Sequence, residues 1–225
     1  MPAVERVATG VMGLDPLLGG GLIRNSINLL TGGTGTGKTI FCCQFLWHGL
    51  QRGESGVYIS TEEYPDDIKA DVAAFGWDFT SFEKKGMFKL TYQNPSDVAD
   101  LEAIIMDVVK DIDAKRVVID STAVIGLCLK DEATLRKKLF NILKTLKDAG
   151  CTSIITSEIL EHSRGLSRFG IEEFIVDGVI TLSYLGIGEV SNRMLQIRKM
   201  RRTNHGKDIY PIEIGPAGIS IKKVS

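Results

Sequence analysis

The chain has 225 residues, 44% of them hydrophobic and 24% charged, with a formal net charge of −1. That length holds one large α/β domain or two very small ones, and the composition is that of a globular protein with a buried core. Near-neutral charge excludes a wholly basic nucleic-acid surface and an acidic tail, so any nucleic-acid contact would need a local patch.

The opening MPAVERVATG lacks the apolar core of a signal peptide, and no later run is long and apolar enough to span a bilayer, so a cytoplasmic protein is expected. The GGGL at 19–22 reads as a flexible turn. SINLLTG (26–32) is a buried strand running into a glycine loop, and 38–50 follows as a helix whose Phe41, Cys42, Cys43, Phe45 and Trp47 belong to the core. GVYIST (56–61) is a second strand, and 64–76 is a helix with Pro65 and two aspartates at its start and Gly76 at its end. MFKLTY (87–92) is a third strand. Residues 96–113 set Val98, Leu101, Ile104, Ile105 and Val108 at helical spacing behind a Ser96 cap. RVVID (116–120), a helix over 131–149 and CTSIITS (151–157) complete an alternation that predicts parallel βαβ units in one sheet covered on both faces. After about residue 175 the segments GVITLSYL, NRMLQIRKM, IYPIEI and GISIKK are short and β-rich, which predicts an antiparallel extension. No linker or repeat interrupts the chain, so 1–225 is expected to be one domain. Cys42, Cys43, Cys128 and Cys151 have no C-x-x-C spacing and His48, His162 and His205 are scattered, which argues for buried thiols over a zinc site.

The chemistry concentrates in Gly32-Gly33-Thr34-Gly35-Thr36-Gly37-Lys38-Thr39, which fits G-x-x-x-x-G-K-[ST] between a strand and a helix. Glycines allow a tight turn whose N–H groups face phosphate oxygens at a helix N-terminus. Residues Gly33 to Thr39 would therefore hold ATP, with Lys38 reaching the β and γ phosphates and Thr39 meeting Mg²⁺. Such sites need a carboxylate on the metal side, and Asp120 ends an apolar strand in the right manner. Glu62 and Glu63 follow another strand, where either can orient and deprotonate a water; spacing does not say which. Thr156, Ser157 and Glu158 form a polar strand tip that would sense the γ-phosphate if its strand adjoined the phosphate loop.

LQIRKMRRTNHGKD (195–208) is the concentrated basic run. Strand alternation puts Lys199, Arg201 and Thr203 on one face and Arg198, Met200 and Arg202 on the other. Three readings stand level: a charged edge strand, a nucleic-acid contact, or fingers reaching a neighbouring subunit's nucleotide.

Together the segments TGVMGLDPLLGGGL (9–22), GGTGTGKT (32–39), YISTEE (58–63), RVVIDS (116–121), TSE (156–158), RFGIEEFIVDGVI (168–180) and KMRRTNHGKDIYPIEI (199–214) resemble the KaiC-type branch of the RecA/RadA ATPases, over nearly the whole chain. The resemblance implies an α/β fold: a RecA-type P-loop core with a mostly parallel twisted sheet flanked by helices and a β-rich C-terminal extension. It also implies a homo-oligomer, usually a hexameric ring, with ATP between subunits. By this match Lys38 and Thr39 are the phosphate-loop pair, Asp120 the Mg²⁺-side acid, Glu62 and Glu63 the catalytic glutamates, and Lys199 with Arg201 the pair that reaches ATP from the adjacent subunit. The clock protein KaiC carries two such domains and phosphorylates an adjacent Ser-Thr pair in its second. The matching segment here, 158–170, holds only isolated Ser163 and Ser167, which argues against autokinase activity, although Ser121-Thr122 lies elsewhere. The loop over 158–174 sets Glu158, Glu161, Glu172 and Glu173 against Arg164 and Arg168, a poor match to a nucleic-acid backbone. The expectation is a slow, ring-forming, Mg²⁺-dependent ATPase serving an unknown protein partner. The alternatives are an ATP-stabilised scaffold that does not hydrolyse and a RadA-like DNA-processing ATPase.

Overall fold

The computed structural model describes residues 4–94, 100–127, 131–159, 165–187 and 190–222. The chain opens with β1 (Arg6–Val7), a one-turn helix α1 (Leu14–Leu17) and β2 (Leu22–Ile23), and β1 pairs antiparallel with β2. The glycine turn between α1 and β2 is tightly held, contrary to the flexible turn its sequence suggests. Gly21 has φ +122°, and a Cβ there would stand 2.4 Å from the Val7 carbonyl oxygen.

The core elements follow as β3 (Ile27–Gly32), α2 (Lys38–Leu50), β4 (Gly56–Ser60), α3 (Pro65–Ala73), α4 (Phe79–Lys84), β5 (Phe88–Tyr92), α5 (Leu101–Asp111) and β6 (Arg116–Asp120). They continue with α6 (Ala123–Leu127), α7 (Glu132–Asp148), β7 (Thr152–Glu158), α8 (Glu172–Ile175), β8 (Gly178–Ile187), β9 (Val190–Met200), β10 (Ile209–Gly215) and β11 (Gly218–Ile221). Helix α4 escaped the sequence reading, although Asp78 caps it by accepting from the Ser81 N–H at 3.0 Å. Helix α5 begins at Leu101 with Asp100 as its N-cap; Ser96 and Val98, expected in its first turns, lie outside the described residues.

Among the described residues the main sheet runs β11-β10-β9-β8-β3-β7-β6-β4-β5. From β8 to β5 every neighbouring pair is parallel, and β9, β10 and β11 extend the sheet antiparallel. The antiparallel extension therefore starts one strand later than expected. β8 lies parallel to β3 because the long connection carrying α8 returns the chain to the start of the sheet before β8 begins. Strand alternation splits the core in two. Leu30, Tyr58, Val118 and Ile154 pack under Phe41, Phe45 and Leu46 of α2, while Leu29, Ile59, Ile119 and Ile155 pack under Ile105 of α5 and Leu139, Ile142 and Leu146 of α7. Cys42, Cys43 and Cys151 are buried, as expected; Cys128 lies outside the described residues. Among the described residues no helix is long and apolar enough to cross a membrane.

Buried Arg116, only 2% exposed, ties the amino end of this sheet together. Its guanidinium donates to Glu54 Oε2 at 2.6 Å and to the carbonyls of Ala8 (2.9 Å) and Phe45 (2.7 Å), and lies over the Phe45 ring.

Candidate nucleotide site

Strand β3 is buried along its whole length and delivers Gly32 to the carboxyl end of the sheet. The chain then turns through Gly35 (φ +73°) and Gly37 (φ +104°), conformations that side-chain-bearing residues rarely adopt, and enters α2 at Lys38. No side chain caps that helix, so its first N–H groups remain directed at the loop. Thr36 Oγ1 donates to the Gly33 carbonyl at 2.8 Å. Lys38 Nζ donates to the carbonyls of Gly32 (3.0 Å) and Gly33 (3.1 Å), which holds the ammonium against the loop.

Asp120, 8% exposed at the end of β6, gathers three hydroxyls. Tyr58 donates to its Oδ2 at 2.5 Å, Thr39 approaches the same oxygen at 3.3 Å, and Thr156 donates to Oδ1 at 2.5 Å. Burial first, and then the Asp120 charge, push the Tyr58 phenol well above its ordinary range, so it stays a neutral donor. The Asp120–Ser121 peptide bond is cis.

The two glutamates leave β4 through a tight turn in which Ser60 Oγ donates to the Glu63 carbonyl (2.6 Å) and accepts the Glu63 N–H (3.0 Å). Their side chains then diverge. Glu62 Oε1 accepts the Ser121 hydroxyl, whereas Glu63 Oε1 lies 3.4 Å from Thr39 Oγ1. Burial raises the Glu62 carboxyl, opposed by the Ser121 hydrogen bond and reinforced by Asp120. Burial, then the charges of Asp120 and Asp71, raise that of Glu63.

These groups line a cleft of about 460 Å³ with Thr34, Gly35, Gly37, Lys38, Thr39, Glu62, Glu63 and Asp120 on its walls. The structure thus brings together most of the residues singled out in the sequence. Glu158, expected at the polar tip of β7, also lines the cleft, and further walls that sequence reasoning missed are Val72 and Phe75 near α3 and Arg193 and Ile214 from the C-terminal strands. Tyr184 and Arg193 stand opposite each other on β8 and β9. Tyr184 donates to the Gly35 carbonyl at 2.6 Å, and the Arg193 guanidinium lies 3.4 Å from that oxygen and 5.2 Å from the Tyr184 ring centre. Only the hairpin register would have revealed this pair.

The tip of β7 adjoins the loop strand, with Thr156 beside Leu30 and Glu158 beside Gly32. Its hydroxyls part company: Thr156 serves Asp120, but Ser157 faces the other way and donates to Glu172 Oε1 at 2.9 Å. Glu172 is fully buried, and Glu158 pairs with Arg168 at 3.3 Å, so the acidic loop expected over 158–174 is less charged toward solvent than its sequence implies. Glu161, Ser163 and Arg164 lie outside the described residues.

Lys199 and Arg201 are not in the cleft. Lys199 pairs across the sheet with Val179 and Met200 with Gly178, which itself stands beside Asn28 near the start of β3, at the end of the sheet opposite the phosphate loop. Their expected strand alternation also breaks. A bulge leaves Arg198 without an opposite residue, β9 ends at Met200, and Arg202 adopts φ +53°. Lys199 Nζ donates to the carbonyls of Val176 (2.7 Å) and Glu173 (2.9 Å), and Arg201 lies 3.6 Å from Asp177 Oδ1.

Comparison with known proteins agrees with this architecture. A UPF0273 protein of Methanopyrus kandleri is 38% identical over 97% of this chain and 92% of its own length. The circadian clock protein KaiC3 of Synechocystis is 35% identical over 94% of this chain, which spans 44% of that longer protein. The crystal structure of a KaiC-like protein from Pyrococcus horikoshii superimposes with a TM-score of 0.91 at 43% identity, covering 98% of this chain and 100% of that one. Residues 7–225 match the KaiC ATPase family model, and the chain belongs to that family of P-loop ATPases, with its RecA-type fold.

Proposed function

We propose that residues 1–225 form one unit of a cytoplasmic ring, six-membered by family precedent, that hydrolyses Mg²⁺-ATP slowly at sites between subunits and signals its state to a protein partner. The observation that carries this reading is the separation of the basic pair from the loop. Lys199 and Arg201 emerge at the opposite end of the sheet from Lys38, Glu62, Glu63 and Asp120, and none of the cleft-lining residues comes from that basic turn. Groups so placed can complete a nucleotide site only on a neighbouring copy, in a head-to-tail arrangement that closes into a ring.

In this reading residues 33–39 cradle the phosphates and Lys38 leaves the loop carbonyls to meet them. Thr39 and Asp120 present hard oxygen donors 3.3 Å apart, which suits Mg²⁺ shared with phosphate oxygens; the ion would offset charge on them. Glu62 or Glu63 orients the attacking water and accepts its proton as the new P–O bond forms and the bond to the ADP oxygen breaks. Burial suits these carboxyls to the role, since it raises their proton affinity. Lys199 and Arg201 of the adjacent copy neutralise the developing charge.

A mixing experiment tests the shared site. Subunits carrying Glu62→Gln and Glu63→Gln keep their fingers, and subunits carrying Lys199→Ala and Arg201→Ala keep their clefts. Each alone should release almost no phosphate, while random co-assembly of equal amounts should restore roughly a quarter of the wild-type rate, because one junction in four pairs a sound cleft with a sound finger. Light scattering on the same samples checks assembly. A mixture as inactive as its components, in assembled rings, refutes the shared site. Wild-type rings that release no phosphate refute basal hydrolysis and favour ATP as structural glue. Stimulation by single-stranded DNA would favour a DNA-processing enzyme.

A further inference from the structure

We propose that Glu172 is a positioning residue: through α8 it sets Lys199 for the neighbouring copy's nucleotide and ties that finger to its own subunit's cleft. This rests on the shared-site reading above.

Glu172 is the first residue of α8 and is fully buried. Among the described residues no cation pairs with it; its carboxylate is held by the Ser157 hydroxyl (2.9 Å), by the Ser167 hydroxyl (2.7 Å), whose single proton it shares with Glu173, and by the Ile171 N–H (3.3 Å). A buried carboxylate without a cationic partner is costly to desolvate, and an apolar side chain would fill the same space at less expense in stability. What the carboxylate supplies is direction. Its three hydrogen bonds fix where α8 starts, relative to both the tip of β7 and the 165–171 segment.

Helix α8 and its C-cap residue Val176 in turn present carbonyls to Lys199. The ammonium donates to Val176 at 2.7 Å and Glu173 at 2.9 Å, with Phe174 more distant at 3.5 Å. An ammonium has three donors, so two short bonds orient it and leave a third for a phosphate oxygen. The bulge at Arg198 re-aims the chain just before Lys199, as bulges beside functional groups do. Next to it Asp177 receives Arg201 (3.6 Å), Lys147 (3.1 Å) and the Ile27 N–H (3.1 Å), so the residues after α8 anchor both basic side chains.

The other end of this chain of contacts reaches the subunit's own cleft. Ser157 lies between Thr156, which donates to Asp120, and Glu158, which lines the cleft. A movement of the β7 tip that accompanies a change at the phosphates would pass to Glu172 and from there to the finger offered to the next site. Occupancy at one junction thereby adjusts the geometry of another.

The test is a double-mutant cycle read as kcat and KM for Mg²⁺-ATP, in samples shown by light scattering to be assembled. Lys199→Ala should lower kcat on the order of 100-fold, the loss expected for one preorganised charge donor. Glu172→Ala should lower kcat by about 10- to 100-fold, as displacement of a catalytic group by an ångström does, while KM moves little. Added to Lys199→Ala, it should cost nothing more, because the two act as one unit. Ser157→Ala, which removes the tie between β7 and Glu172 together with the acceptor of the Arg168 N–H (3.1 Å), should give a smaller kcat loss that also vanishes in the Lys199→Ala background; it keeps the test open if Glu172→Ala does not fold. Multiplicative losses in either double variant, or a wild-type kcat for Ser157→Ala, overturn the proposal. A wild-type kcat for Lys199→Ala overturns instead the shared-site reading beneath it.

Discussion

Replacing Tyr58 by Phe deletes one oxygen from a side chain that is fully buried and whose hydroxyl donates to Asp120 at 2.5 Å. The ring stays in place, so packing is almost untouched and the change isolates one charge-assisted hydrogen bond. Such bonds are worth about 1.5–3 kcal/mol. Asp120 keeps Thr156 at 2.5 Å and Thr39 at 3.3 Å, so the carboxylate is weakened but not orphaned, and a loss of about 2 kcal/mol is expected. For a chain of this length that corresponds to a melting temperature lower by about 4–8 °C. The same bond steers the carboxylate that would meet Mg²⁺, and residues that orient metal ligands typically contribute 10- to 100-fold to metal affinity. With Thr156 still in place, the Mg²⁺ concentration for half-maximal ATP turnover should rise about tenfold. Urea unfolding measures the first quantity, through a lower midpoint at unchanged slope. A Mg²⁺ titration at saturating ATP measures the second. An unchanged midpoint with a Mg²⁺ requirement within about twofold of wild type refutes the reasoning, since Tyr58 would then neither stabilise nor orient Asp120. A lower midpoint alone would make the bond structural only.

Two further perturbations follow from the same physics. Burial raises the carboxyls of Glu62 and Glu63 above their ordinary value of 4.5, so the folded chain holds these protons more tightly than the unfolded chain does. Their contribution to stability is full below that value and is lost as pH rises through the folded-state values. The uncharged Glu62→Gln, Glu63→Gln chain should therefore melt higher than wild type at about pH 8 and converge with it below about pH 4.5, while losing turnover; identical melting curves at the higher pH contradict this. Arg116→Ala leaves the Glu54 carboxylate and the carbonyls of Ala8 and Phe45 without their donor, and should cost about 3–5 kcal/mol in urea unfolding. A loss below about 1 kcal/mol would mean that water replaces the guanidinium freely.

Much of this protein is written locally. The phosphate loop is legible because turn, strand end and helix start occupy consecutive residues, and Asp120, Glu62 and Glu63 are legible because each follows a buried strand whose carboxyl end must open on the same rim. Alternation of strands and helices likewise declares a parallel sheet with two covered faces. Tertiary structure decided everything that depends on which strands become neighbours. Tyr184 and Arg193 meet the Gly35 carbonyl only because β8 pairs with β3 and β9 with β8 in one register. Thr156 and Ser157 are adjacent hydroxyls in sequence, yet the pleat sends one to Asp120 and the other to Glu172. Glu172 looks like a surface charge beside Glu173 until the fold buries it, and Arg116 looks like a strand-end cation until Glu54, Ala8 and Phe45 close around it. Local propensity acts over a turn or a pleat, whereas these contacts join residues from 15 to 158 positions apart, and only the assembled sheet fixes their separation.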